Sequence, residues 1–583
     1  MHNKLATWLS RSLISGLLLS QGYAADNPHR DYADSATISS YGIVATSQTL
    51  ASQAGAAVLE HGGSAVDAAI AANAALGVIE PMMNGVGGDL FAIIYDAKTR
   101  KVSGINSSGW APKGTSIEFL RAHGVTGKIP SSSPQTVTVP GAVAGWAALQ
   151  QKFGKLSLKD DLAPAIFMAK NGIPIPEMDA QAWRIFGPQF AKSPGFAATF
   201  LPQGHPLTTG ELFRNPDLAR TLQRIASNGA AGFYEGPVAA AMVTFLNSLG
   251  NPMTAEDLSE FKPEWVTPIS TTYHGWTVHE LPPNGQGIAA LEMLNIMERF
   301  PLKEYGHNSV QALHTMIEAK KLAYADLARY VADQRFSKVP VSEMLSKSFA
   351  EERAKLIGAS ASCQPEAADL TASLTRGGKD TTYLTAVDRD GNIVSLIQSN
   401  AGAFGSGLVA PGTGFVLQNR GGAFSLDPKH PNAIAPRKRP FHTIIPGLLS
   451  KSDTTIGFGI MGGLNQPQAH AQFVSNVVDF NMDIQAALDA ARFTKPTFSG
   501  CDVLMESRIP ESVRTQLEQK GHNITVEDAY TQHMGRGNAV MVDAHHVKYG
   551  ASDPRADGQA VSENPGFFES TEAFPNQTAS AKH

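Results

Sequence analysis

The chain has 583 residues, of which 43% are hydrophobic and 17% charged, and its formal net charge is -5. That length suits one very large domain or roughly two to three ordinary ones. The mild acidity gives no electrostatic case for nucleic-acid binding, and the 54 Gly and 35 Pro sit among apolar segments, where they mark turns and not disorder. The first 25 residues read as a secretory signal peptide. Lys4 and Arg11 are basic, LISGLLLS from Leu13 is a short apolar core, and Gly22-Tyr23-Ala24 places small residues at the cut. An N-terminal membrane anchor is the alternative, but the run is well short of a bilayer span. The mature protein is expected to begin near Ala25 or Asp26, in the periplasm or outside the cell, with no membrane association after signal removal.

From Ala45 to Leu76 apolar residues recur at helical spacing. Gly62-Gly63 divides the run into two helices, and Ser64 caps the second. The stretch from Gly85, GVGGDLFAIIYDAKTRKVSGINS, reads as a Gly-rich turn into a β-hairpin with DAKT at its tip. Residues 155–260 are mostly helical, and 287–299 and 310–332 are long helices. Residues 357–380 turn small and polar, which is linker composition. Strands follow at 383–399, LVAPGTGFVLQN from Leu408, TIIPGLL from Thr443 and TIGFGIMGG from Thr455, then helices at 466–478 and 484–493. Sheets flanked by helices on both sides predict a layered α/β architecture. The two cysteines, Cys363 and Cys501, are too few for a disulfide framework. They read equally as unpaired thiols or as a bridge joining the chain on either side of residue 381.

The sharpest chemical signal is DTTYLTAVDRDGNIVSLIQSN, a strand, a DRDG turn and a second strand beginning at Asp380. A cut between Asp380 and Thr381 gives Thr381 a free α-amine beside its own hydroxyl. That pairing supplies a nucleophile with its base.

This hairpin resembles the γ-glutamyltransferase (glutathione hydrolase) family of N-terminal nucleophile hydrolases. The resemblance extends through the Ala45 to Phe91 region, PGAVAGW at Pro140, LPPNGQG at Leu281, FGSG at Phe404, KRPFHT at Lys438, MGG at Met461 and YGASDPRADGQA at Tyr549. It implies a four-layer αββα sandwich built from two chains after autoproteolysis. The large subunit would span 26–380, with 357–380 a linker ending at the cut, and the small subunit 381–583. The two would form a heterodimer, or a dimer of such heterodimers. It also implies that Thr381 is the nucleophile, that Ser399 replaces a threonine bonded to it, and that Gly462 and Gly463 form an oxyanion hole. No cofactor or metal is implied.

The departures bear on the substrate. The family's carboxylate-binding arginine is Ser108 here, and its serine pair is His442-Thr443. Its asparagine, glutamine or glutamate, and aspartate around the α-amine are Ala401, Arg420 and Ala423, flanking Asn419. An ammonium beside Arg420 is repelled, whereas an acidic acyl group suits it. The pattern therefore resembles the acylase and oxamate-amidohydrolase branch, acting on small amide substrates. A true glutathione hydrolase is the alternative within the family, and an uncleaved periplasmic binding protein the alternative outside it. GVGGD lacks the GK[ST] of a phosphate loop, and His545-His546 and the other histidines show no metal-ligand spacing. Asp553-Pro554-Arg555 reads as an internal ion pair or a turn, placed to buttress the Thr381 strand.

Overall fold

The computed structural model describes residues 34–366, 380–564 and 566. The expected signal peptide lies outside these residues, as do 367–379 of the expected linker. Two seven-stranded sheets form the centre. One runs in the order Ala560–Ser562, Ile43–Ala45, Asp380–Val387, Ile393–Ala401, Asp89–Asp96, Lys101–Ser107 and Glu264–Val266. The other runs Thr37–Ser39, Lys548–Ser552, Gly537–Val542, Thr454–Ile460, Gly447–Lys451, Trp276–Glu280 and Ile269–Tyr273. Every pairing within these two sheets is antiparallel. Ile393–Ala401 is buried along its whole length, as a strand covered on both faces must be.

Helices close both outer faces. Thr49–Glu60 and Ala65–Ile79 pack on the first sheet in one apolar core with Leu384, Leu396 and Phe91. Gly287–Met297, Val310–Tyr330 and Gln466–Val478 pack on the second in a separate core with Phe458 and Leu449. Val540 and Leu448 of the second sheet also reach into the first core, so the sheets face each other. This is the expected αββα sandwich. Ser64 caps its helix through a capping box with Asp67.

Three expectations change. LVAPGTGFVLQN forms no strand; Gly412 and Gly414 adopt φ of 75° and 77°, and Pro411 lacks a ladder donor. The helix expected over 484–493 stops at Asp489, because Phe493–Thr494 joins a small third sheet. The described part of the linker, 357–366, is docked and not free. Ala361 N donates to Lys520 O at 2.7 Å, Ser362 N to Glu318 Oε2 at 3.1 Å, and Gly500 N to Cys363 O at 2.7 Å. Cys363 and Cys501 are joined in a disulfide, 138 residues apart in sequence.

The Asp553-Pro554-Arg555 segment is the hub of a buried charge network. Asp553 pairs with Arg492 at 2.7 Å and Arg555 at 3.0 Å, and Arg555 grips Glu506 through Nε at 2.6 Å. Asp553 Oδ2 also accepts from Gly537 N at 2.9 Å, where the Gly537–Val542 strand starts. One residue on, Asn538 Nδ2 donates to Tyr383 O at 2.9 Å. The expected buttress thus reaches the Thr381 strand through Asn538.

Candidate active site

Thr381 lies at the head of a central strand and is fully buried. Strand register breaks here. Asp380 pairs with Ala401 and Thr382 with Gln398, which leaves Thr381 opposite both Ser399 and Asn400. Such a bulge re-aims a side chain. Thr381 Oγ1 donates to Ser399 Oγ at 3.1 Å. Ser399 Oγ also accepts from Ala401 N at 2.9 Å and from Arg420 Nη2 at 3.0 Å. Ala401 carries a φ of 77°, a strained backbone for a residue with a Cβ, and such strain collects at functional sites. Thr382 Oγ1 donates to Glu80 Oε2 at 2.5 Å, Ser47 Oγ donates to the same oxygen at 2.8 Å, and Arg536 lies 3.6 Å from Oε1.

From the sequence, Arg420 reads as able to hold a substrate carboxylate bidentately. In the structure one N–H of Nη2 is bonded to Ser399 and one of Nη1 to Thr443 Oγ1 at 2.8 Å, which leaves each terminal nitrogen a second hydrogen. Its Nε–H is buried and has no hydrogen-bond partner. Burial lowers its pKa to about 10, with Asp89 opposing the shift, so the group stays cationic at neutral pH.

His442 and Ser108, expected at the substrate, are committed elsewhere. His442 Nε2 meets Asp89 Oδ2 at 3.0 Å, and Ile444 N donates to Nδ1 at 3.3 Å, so the ring carries its hydrogen on Nε2. Burial and then the Arg420 charge push its pKa down to about 4, against the pull of Asp89, which leaves it neutral. Ser108 Oγ accepts from Asn284 Nδ2 at 3.1 Å and is fully buried. Asp89 ties this floor together. Its Oδ1 accepts from Gly109 N and Gln418 Nε2, both at 2.8 Å. Gly109 is obligatory there, since a Cβ would stand 1.6 Å from Val139 O. Thr443 keeps a hydroxyl proton to donate, because Arg420 uses only its lone pair.

Gly462 and Gly463 follow the Thr454–Ile460 strand at φ of 138° and 61°. These values lie in the left-handed region that glycine adopts without strain. Gln286 Nε2 donates to Thr443 O at 2.6 Å and to Gly463 O at 2.7 Å. A bonded path therefore runs from Thr381 through Ser399, Arg420, Thr443 and Gln286 to Gly463. The structure brings Thr381, Ser399, Arg420 and Thr443 into direct contact and sets Gly462-Gly463 one amide away.

Beside Arg420 opens a cavity of about 270 Å³. Ala401, Arg420 and Ala423 all line it, with Asn419, Gln189, Ser131, Phe186, Phe190 and Lys128 among the others. Its lining includes two cations and no acid. Asn419 braces the wall, accepting from Gly402 N at 2.9 Å and donating to Ser131 O at 3.0 Å.

Sequence reasoning assigned no role to Asp89, Glu80 or Gln286. The signal for Asp89 and Glu80 was present: each is a lone carboxylate inside an otherwise apolar or Gly-rich run. It also overlooked a histidine cluster, because one member is remote in sequence. His314 and Glu318, one turn apart, meet His522, and their ligand atoms lie within 4.8 Å of one another. Lys321 already supplies a cation there, 2.6 Å from Glu318 Oε1. Burial, then Lys321, pushes His522 down to about 3.

The family model described as Gamma-glutamyltranspeptidase matches residues 51–563. A glutathione hydrolase-like proenzyme, YwrD, of Bacillus subtilis is 35% identical, over 89% of this chain and 98% of the relative. An oxamate amidohydrolase proenzyme of Klebsiella pneumoniae is 34% identical, over 90% of this chain and 99% of the relative. The solved structure of a cephalosporin acylase from Bacillus halodurans superposes with a TM-score of 0.86 at 41% identity, covering 92% of this chain and 99% of that one. This chain belongs to the γ-glutamyltranspeptidase family, whose members act through an N-terminal threonine nucleophile.

Proposed function

We propose that this protein cuts itself between Asp380 and Thr381 and then hydrolyses amides of non-glutamyl, acidic acyl groups. In the first step Thr381 Oγ1 attacks the carbonyl carbon of Asp380, and the acyl group shifts from nitrogen to oxygen. Water hydrolyses the resulting ester, releasing the Asp380 carboxylate and the Thr381 α-amine. That amine, with an ordinary pKa of about 7.7 to 8.0, then serves as base. It takes the hydroxyl proton as Thr381 Oγ1 attacks a substrate amide. The N–H groups of Gly462 and Gly463 hold the tetrahedral oxyanion. The proton passes to the leaving amine, and water or an acceptor amine resolves the acyl-enzyme. Arg420 acts through Ser399, placing positive charge one hydroxyl away from the developing anion.

The observation that carries the substrate reading is the cavity with two cations and no acid. A γ-glutamyl group would bring its α-ammonium there without a partner. The relatives named as an oxamate amidohydrolase and a cephalosporin acylase fit the same direction. The test is kcat/KM for a glutaryl anilide against a γ-glutamyl anilide. Each missing charged hydrogen bond costs about 1.5 to 3 kcal/mol, so the glutaryl compound should be preferred roughly a hundredfold. Ala423→Asp alone should shift the ratio toward γ-glutamyl. Arg420 is left intact because it holds Ser399 and Thr443. A wild-type enzyme that prefers the γ-glutamyl compound favours the glutathione-hydrolase reading.

The chain is also proposed to lose residues 1–25 on export and to persist as a heterodimer of 26–380 and 381–583. Among the described residues no helix is long and apolar enough to cross a membrane. N-terminal sequencing should find starts near Ala25 or Asp26 and at Thr381. An intact Met1 on the active protein would refute export.

A further inference from the structure

Self-cleavage turns Thr381 from an inner link of a strand into its first residue, and chain ends fray unless they are tied down. The cut severs Asp380, which pairs with Ala401, from the strand. Anchoring then falls on the next residue. Thr382 pairs with Gln398 in the sheet, and its hydroxyl donates to Glu80 Oε2 at 2.5 Å. Ser47 Oγ donates to the same oxygen at 2.8 Å. Glu80 is the C-terminal cap of the Ala65–Ile79 helix, and all three side chains are buried.

The turn that carries Gly462 and Gly463 has its own support. Met461 N, one residue before the pair, donates to Arg536 O at 3.0 Å. Asn465 Nδ2 donates to Met534 O at 2.8 Å. Between them Gly535, at a φ of 79°, lies so close that an added Cβ would stand 2.0 Å from Met461 O. The 534–536 segment is thus moulded to the glycine turn.

The Arg536 side chain joins the two supports. Its Nη1 lies 3.6 Å from Glu80 Oε1, and Nη2 donates to Gln532 Oε1 at 2.9 Å. The first contact is an ion pair and not a hydrogen bond, and burial shields it from screening by salt. A second buried carboxylate, Asp179, also faces Arg536. Burial and then the Glu80 charge raise its pKa well above the ordinary 3.8, against the pull of Arg536. Asp179 is therefore held neutral, and Glu80 is left as the partner of the arginine.

We propose that Glu80 and Arg536 are positioning residues, a clamp that fixes the nucleophile strand relative to the oxyanion turn. Glu80 acts through Thr382 on Thr381, and Arg536 acts through its own carbonyl on Met461 and Gly462. Resting on the roles proposed above for Thr381 and Gly462-Gly463, the clamp also spans the cut. Glu80 lies upstream of it, whereas Thr382, Met461 and Arg536 lie downstream, so the small piece alone lacks half of the device.

The experiment uses the full-length, processed enzyme and whichever of glutaryl and γ-glutamyl anilide wild type turns over faster. Turnover is counted per small chain on a reducing gel, so slower processing does not enter kcat. Glu80→Gln keeps an acceptor oxygen for Thr382 and Ser47 but removes the charge, and Arg536→Met removes the cation. Each should lower kcat roughly tenfold or more, the scale of a reacting group misplaced by about 1 Å, with KM nearly unchanged. Arg536→Lys keeps the charge and should retain most of kcat. The double variant should be no worse than the worse single one, because both changes break one contact. Should Arg536→Met fail to fold, Glu80→Gln judged against Arg536→Lys decides alone. A kcat within about twofold of wild type in the charge-removing variants, even with a lower melting temperature, would mean a merely stabilising pair and overturn the clamp. Losses that multiply in the double variant would overturn it too. A wild type that neither processes nor turns over either anilide would instead sink the Thr381 reading.

Discussion

Thr381→Ala should leave a single uncleaved chain without amidase activity. One hydroxyl serves both reactions: it attacks the Asp380 carbonyl during processing and the substrate carbonyl afterwards. Its removal also leaves Ser399 Oγ without the partner now 3.1 Å away. The loss in kcat should be roughly 10⁴-fold or more, the scale seen when a hydrolase loses its nucleophile. Thr381→Ser keeps the oxygen and should still process, more slowly. The check is a denaturing gel run under reducing conditions, paired with an activity assay. Reduction is needed because Cys363 and Cys501 lie on opposite sides of the cut and would hold the products together. A cleaved Thr381→Ala protein would mean that another residue performs the cut.

The second large effect is on stability. Asp553→Ala should destabilise the fold by about 3 to 5 kcal/mol, the range for breaking a buried ion pair. The variant strands Arg492 and Arg555 without their shared carboxylate, and both are almost fully buried. It also frees Gly537 N, so the strand that braces Tyr383 loses its anchor and processing should slow. Burial opposes the charged carboxylate, yet Arg492 and Arg555 outweigh it and hold the Asp553 pKa below its ordinary 3.8. A depressed carboxylate stabilises the fold above its unfolded pKa and loses that contribution as pH falls through the folded value. The gap in melting temperature between wild type and variant should therefore be full at neutral pH and close only in strong acid. Thermal melts across pH 3 to 7 measure this. A variant melting with wild type at pH 7 would show the network to be dispensable.

The architecture was readable because period and punctuation agreed with it. Ser64 before an apolar run, the DRDG turn between two β-branched stretches and the glycine pair after TIGFGI each encode local geometry directly. LVAPGTGFVLQN was misread because its apolar residues are buried by the body of the protein and not by a sheet, a distinction that composition does not carry. Thr381 and Ser399 stand out in one hairpin. Arg420 stands out in the sequence as an unexpected cation, but its partners do not. Ser399 sits on the neighbouring strand and Thr443 follows a separate loop, so only tertiary contact shows that the guanidinium is already engaged.

The Cys363–Cys501 bridge encloses residue 381 within the loop that it closes. In the unprocessed chain such a ring narrows the unfolded ensemble, a benefit that grows with loop length. Self-cleavage opens the ring, and that contribution ends at the moment the enzyme matures. What the bridge does next is different in kind. It makes separation of the two pieces a unimolecular event with a fixed effective concentration, so dilution cannot drive them apart. A piece that loosens remains beside its partner and can re-dock. The same covalent bond thus acts on the unfolded state before cleavage and on subunit dissociation after it.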